Sequence, residues 1–102
     1  MANEQQALTE GVFYILLALY EPRHGYGIMQ FVEHISNGRV QIGAGTTYGA
    51  LKNLQEKEWI ETLAGEGRKK EYQITEQGKQ VVEFELQRLQ ELIENGKQIL
   101  SN

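Results

Sequence analysis

Cysteine and aspartate are absent from this 102-residue chain, and proline occurs once, as Pro22. Without cysteine there is no disulfide, no thiol redox chemistry and no thiolate-held metal. His24 and His34 are the only histidines, ten residues apart, and with no aspartate to complete a ligand set neither a metal nor another cofactor is expected. Catalysis is equally ill provided for. Ser36 and Ser101 are the only serines, no G-x-S-x-G or phosphate-binding loop occurs, and Gly43 and Gly45 are followed by Gly49, one position late for a dinucleotide fingerprint. All fourteen carboxylate side chains are glutamates, scattered without the frame of a dyad. An enzyme is not expected. No apolar run approaches the roughly 20 residues of a membrane span, and the polar start "MANEQQALTEG" lacks the order of a signal peptide. These absences point to a cytoplasmic protein without a membrane partner, built as one domain around one modest core.

Charge is the next constraint. The net value of −4 argues against nucleic acid, but it is an average. Residues 1–22 and 75–102 are both negative, whereas residues 23–74 hold seven basic and six acidic side chains. Three of those seven cations, Arg68, Lys69 and Lys70, stand side by side in the glycine-flanked stretch "AGEGRKKEYQIT". An acidic protein with a concentrated basic tip needs a local reason for it.

The patterning gives four helices and a hairpin. "LTEGVFYILLALYEP" (8–22) reads as a helix with Thr9 as N-cap and Pro22 as its stop. It carries two apolar stripes, Leu8, Val12, Ile15, Leu16 and Leu19, and separately Phe13, Leu17 and Tyr20. One stripe suffices for a surface helix, so the second asks for another partner. Residues 24–38 read as a second helix ended by Asn37-Gly38, residues 39–45 as a short extended piece, and residues 46–59 as a third helix with Tyr48, Leu51, Leu54 and Thr47 inward. Residues 60–64 and 70–74 read as strands joined through the tip "GEGRK". Thr75 then caps a long last helix in which Val82, Leu86, Leu89, Ile93, Gly96 and Leu100 step by four and three, a coiled-coil seam. A second stripe, Val81, Phe84, Leu92 and Ile99, runs beside it. Such a helix asks for a second copy of the chain.

Three short helices followed by a hairpin outline a winged helix-turn-helix, mainly α with a small β wing. The expected organisation is a DNA-binding part at 1–75 and a dimerisation helix at 76–102, forming one structural unit. In that arrangement the third helix enters the major groove by its N-terminal turn. It presents Thr46 and Thr47, then Tyr48, Lys52 and Asn53, to phosphates or base edges. Arg68, Lys69 and Lys70 meet an adjacent groove or backbone, because affinity for DNA comes from locally placed cations. Each piece also has a plainer reading: a solvated basic turn, a half-buried core Tyr48, a core Trp59. The competing function is a winged-helix protein-interaction module whose basic hairpin docks an acidic partner.

The blocks "ILLALYEPRHGYGIMQFV", "TTYGALKNLQEKEWIET" and "GRKKEYQITEQGKQ" resemble the PadR family of bacterial transcriptional regulators, from about Leu8 to Gly78. With one helix after the wing, the chain is similar to the short subfamily that includes multidrug-responsive repressors. The resemblance implies a dimeric repressor on palindromic operator DNA, with the last helix packed on the partner's first helix. Phe13, Leu17, Tyr20, Leu86, Leu89, Ile93 and Leu100 are the expected interface. In the family's third-helix pattern, Thr46, Tyr48, Leu51 and Lys52 match, while Thr47 replaces a leucine and Asn53 an arginine. In the wing, Arg68, Lys69, Tyr72, Thr75 and Gly78 match, Glu71 stands where an aromatic is common, and Glu58-Trp59 replaces Gly-Leu. Some drug-binding relatives stack flat ligands on a tryptophan of the last helix; Leu89 aligns there, so that stacking mode is absent. What remains is a small apolar pocket around Phe13, Leu17 and Leu89 for a hydrophobic or phenolic effector that relieves repression.

Overall fold

The structure, a computed structural model, describes residues 7–101. Its elements run α1 (Glu10–Ala18), α2 (Gly25–Ile35), α3 (Ala44–Glu56), β1 (Ile60–Thr62), β2 (Tyr72–Ile74) and α4 (Glu76–Leu100), with a short 3₁₀ turn at Gly67–Lys69 in the hairpin tip. The fold is mainly helical with one antiparallel hairpin, as the patterning requires. Among the described residues no helix is long and apolar enough to cross a membrane.

Side-chain oxygens start two of the helices. Thr9 accepts from the Val12 N–H at 3.2 Å and Thr75 from the Gly78 N–H at 3.1 Å, each satisfying a donor that the first turn leaves open. His24 does the same for α2 through Nδ1, which accepts from the Gly27 N–H at 3.2 Å. Left-handed residues stop the next two helices. Asn37, at φ 54°, follows α2, and the Gly38 N–H reaches back to the Glu33 carbonyl at 2.8 Å. After α3 the same motif recurs with Glu58 at φ 64° and the Trp59 N–H on the Leu54 carbonyl at 3.0 Å.

Several boundaries differ from the sequence reading. α1 ends at Ala18 rather than near Pro22, because the chain turns away to pair with the wing. The Leu19 carbonyl accepts from the Ile74 N–H at 2.8 Å, and Arg23 forms an isolated antiparallel bridge with Tyr72. The Arg23 guanidinium donates to the Ala18 carbonyl and lies 4.6 Å from the Phe31 ring centroid. α3 begins at Ala44, two residues early, because the Gly43 carbonyl already accepts from the Thr47 N–H at 3.0 Å. Residues 39–43 are therefore a connection and not a strand. The two strands are three residues each, paired Ile60↔Ile74, Glu61↔Gln73 and Thr62↔Tyr72.

The core lies between α1, α2, α3 and the root of the hairpin. Ile15, Leu16, Leu19, Ile28, Val32, Leu51, Leu54, Ile60 and Ile74 are all buried, each such side chain contributing about 1.5–3 kcal/mol by leaving water. Only the first turns of α4 join it, through Gly78, Val81 and Val82. Gly78 cannot carry a side chain, since a Cβ there would stand 2.7 Å from Ile74 Cγ1 and closer still to the Trp59 carbonyl. α4 runs back along α1: Lys79 Nζ is 5.7 Å from the Tyr20 ring, and further along the Leu8 N–H donates to Glu85 at 3.3 Å. Beyond that point Leu92, Ile93, Ile99 and Leu100 are exposed.

Candidate nucleic-acid interface

The helical repeat sorts α3 into an inner and an outer side. Thr47, Leu51 and Leu54 are buried, whereas Thr46, Gly49, Lys52 and Asn53 are exposed along the opposite face. Thr47 therefore leaves the set of residues expected to meet DNA. Its side chain is 0 % exposed and its hydroxyl donates to the Gly43 carbonyl at 2.8 Å, a bond to the preceding turn that uses the group internally. Gly49 has open space where a Cβ would project, so nothing in the packing of the described residues calls for glycine there.

Tyr48 stands at the edge of this face, 37 % exposed. It packs on the first residue of α2 so closely that a Cβ on Gly25 would stand 2.5 Å from Tyr48 Cζ. Its phenol is also near that of Tyr72. Burial, and secondarily the neighbouring Tyr48, push the Tyr72 hydroxyl above its ordinary value of 10.0. The first turns of α2 and α3 and the root of the wing thus converge at Tyr48. The wing hangs from this point by the Arg23–Tyr72 bridge, whose two bonds measure 3.1 and 2.9 Å. In the tip Lys69 is exposed and Lys70 half-buried, and the side chain of Arg68 lies outside what the structure describes. Thr46, Lys52 and Asn53 share one helix face; Lys69 and Lys70 stand apart on the wing.

Two further features were not legible in the sequence. The Arg23 guanidinium is held by the Ala18 carbonyl and the Phe31 ring, while its backbone carries the bridge to the wing at Tyr72. Glu85 is 2 % exposed and holds Arg88 through bonds of 2.9 and 2.6 Å. The one signal for it was a glutamate between the two apolar stripes of the last helix. The Glu85–Arg88 pair, with Leu8, Phe13, Tyr14 and Leu89, lines a cavity of about 350 Å³ between α1 and α4. Phe13 and Leu89, expected to share a pocket, do so. Leu17 does not line it, because it lies one turn further along α1, away from the end that Leu89 reaches. Among the described residues no group of three or more acidic or imidazole side chains is placed to hold a metal.

Comparison with known proteins decides the family. The model of the transcriptional regulator PadR-like family matches residues 12–84, most of the chain. The protein belongs to this family. Its members are transcriptional regulators and not enzymes. The chain is 36% identical over 72 residues to an uncharacterized 37.1 kDa protein of transposon TN4556 from Streptomyces fradiae, covering 70% of this chain and 20% of that one. It is 37% identical over 60 residues to the transcriptional regulator YqjI of Escherichia coli K12, covering 59% of this chain and 29% of that one. It therefore spans under a third of these curated relatives. Among solved structures, a PadR family transcriptional regulator from Eggerthella lenta superposes with a TM-score of 0.72 at 22% identity, covering 87% of this chain and 80% of that one. Bacillus subtilis PadR, in complex with operator DNA, gives 0.63 at 25% identity over 74% of this chain and 45% of that one.

Proposed function

We propose that this PadR-like protein is a dimeric, sequence-specific DNA-binding repressor. The observation that carries the reading is the outer face of α3. Thr46, Lys52 and Asn53 surround a position, Gly49, that projects nothing, with Tyr48 at the edge of the face and the basic wing tip standing apart from it. A helix with small residues on its outer face and short polar groups beside them suits close approach to a groove, the hydroxyl and ammonium positioning on phosphates and the amide reading a base edge. Lys69 and Lys70, with Arg68, add cations where the duplex continues.

Dimerisation follows from cover. α4 has 25 residues, about 37 Å of helix, and the domain buries only its first turns. Leu86, Ile93 and Leu100 are exposed on it, as is Tyr20 just past α1, and Phe13 and Leu17 on α1 are half-buried. A second copy supplies the surface that both faces lack. The α1–α4 cavity then lies against that interface, and a small hydrophobic or phenolic ligand entering it alters the spacing of the two α3 helices and relieves repression.

The test is a fluorescence-anisotropy titration against DNA from upstream of the protein's own gene, and against a scrambled fragment, at two salt concentrations. The reading expects a preference for the true fragment and a loss of roughly 10³–10⁵ in affinity between about 50 and 200 mM salt. Absence of binding to either fragment at low salt removes it and favours the alternative, a module whose basic hairpin docks an acidic protein.

A further inference from the structure

Glu85 is the last residue of α4 that the domain buries, and from Glu91 to Leu100 the helix is exposed throughout. The other buried residues of α4, Gly78, Val81 and Val82, are small or apolar. At the exit point stands a carboxylate instead, 2 % exposed. It accepts from Arg88 Nε and Nη2 at 2.9 and 2.6 Å. It also accepts from the Leu8 N–H at 3.3 Å, one residue ahead of the Thr9 cap of α1. Arg88 lies on α4 itself, so its two-pronged grip fixes the direction of the carboxylate. The bond to Leu8 is the one that crosses to the start of α1.

A buried ion pair adds little net stability over apolar groups of the same size, because desolvation offsets the attraction. What it adds is direction: a methionine would pack at many angles of α4 to α1, an oriented carboxylate at few. We propose that Glu85 is a positioning residue that fixes the angle at which α4 leaves the domain, and through it the half-site spacing the dimer accepts. The second half rests on the DNA-binding dimer proposed above. Gln98 stands about 20 Å beyond Glu85 along the helix. A tilt of roughly 10° at Glu85 therefore carries Gln98 by about 3–4 Å, close to the rise of one base pair. In a dimer joined through α4, such a tilt in each protomer moves the two α3 helices relative to one another. Half-site spacing mirrors that separation.

The chain has no cysteine, so spin labels at Glu56→Cys on α3 and Gln98→Cys on α4, both exposed positions, are unique. Doubly labelled protein is diluted into excess unlabelled protein, and pulsed EPR then reads one distance within a chain, whether or not a partner is present. The parent is expected to give one narrow distribution. Glu85→Met, its fold checked by circular dichroism and thermal denaturation, is expected to shift or broaden it by about 3 Å or more. Arg88→Lys keeps the charge, loses the fork and is expected to fall between the two. An unchanged distribution in Glu85→Met overturns the assignment, as does a broad one in the parent; if Glu85→Met does not fold, Arg88→Lys decides in its place. DNA tests the second half. The site footprinted on the upstream fragment is rebuilt with one base pair added or removed at its dyad. The parent is expected to lose about tenfold or more in affinity on both rebuilt sites, and Glu85→Met less than about threefold. Equal losses remove the link to spacing alone. A protein that binds no DNA loses the proposed function, and that link with it, while the EPR result stands.

Discussion

Tyr48 on α3 fits against Gly25 on α2 because Gly25 has no side chain; a Cβ there would reach 2.5 Å from Tyr48 Cζ. One glycine thus sets where the ring and hydroxyl of Tyr48 stand relative to the first turn of α2. Gly25→Ala must move Tyr48 or spread the two helices. An overpacked contact of this kind costs about 1–3 kcal/mol. Thermal denaturation should register that loss, and DNA affinity measured well below the melting temperature should fall as well. Tyr48→Phe, which keeps the ring and removes the hydroxyl, should leave stability within about 0.5 kcal/mol. Any loss of DNA affinity in Tyr48→Phe then belongs to the hydroxyl itself.

Glu58 ends α3 in the left-handed region at φ 64°, a conformation that costs a residue with a Cβ on the order of 1 kcal/mol. Glu58→Gly should stabilise the protein by about 0.5–1 kcal/mol, raising its melting temperature by several degrees. Chemical denaturation measures it directly. A destabilised variant would show that the Glu58 side chain contributes more than its backbone strain removes.

How much of this was legible depends on whether the cause was local. Thr9, Thr75 and Asn37-Gly38 were readable as caps and stop, because each acts through neighbours within five residues. The start of α3 was not: its cap is Gly43, whose carbonyl does the work and whose side chain gives no signal. The early end of α1 is set by Arg23 and the wing strand, which meet only after folding. Thr47 was read as facing both ways, and its hydroxyl bond to Gly43 decides for the inside. The exposed set on α3, Thr46, Lys52 and Asn53, follows from helical spacing once the boundaries are right.

Arg39 joins the α2–α3 connection to Glu10 at the start of α1 through an exposed ion pair. The hydrogen bond from Arg39, helped by its charge, holds the Glu10 carboxyl below the ordinary value of 4.5. A depressed carboxyl contributes stability that is complete above its unfolded value and fades as pH falls through the folded one. Arg39→Gln should therefore lower the melting temperature slightly at pH 7, and the gap should close as acidification protonates the Glu10 carboxyl. A gap that persists or widens in acid would mean that Arg39 acts through its packing and not through Glu10. The pair is exposed, so added salt should shrink the gap at neutral pH as well.

Ile93 is 49% exposed on the distal half of α4, beyond the turns that join the core. A glutamate there would be harmless on a free surface and disruptive inside an interface. Light scattering should show the wild type as a dimer and Ile93→Glu as a folded monomer with DNA affinity sharply reduced. A folded dimer in the variant would place the interface elsewhere.

Gly49 separates the two demands on α3, stability and approach. Within a helix glycine is less favourable than alanine by up to about 1 kcal/mol, and a Cβ at position 49 would meet no atom of the described residues within 4 Å. Gly49→Ala should therefore raise stability by a few tenths to about 1 kcal/mol. If the outer face of α3 approaches DNA as closely as its bareness suggests, the same methyl group should lower affinity for the operator. Its effect on scrambled DNA, held mainly through phosphates, should be smaller. A variant that is more stable and binds equally well would show that the face does not reach the groove floor, and would shift recognition towards Lys52 and the wing. The two measurements together, melting temperature and operator affinity on one purified variant, tell whether the missing side chain serves the helix or the duplex.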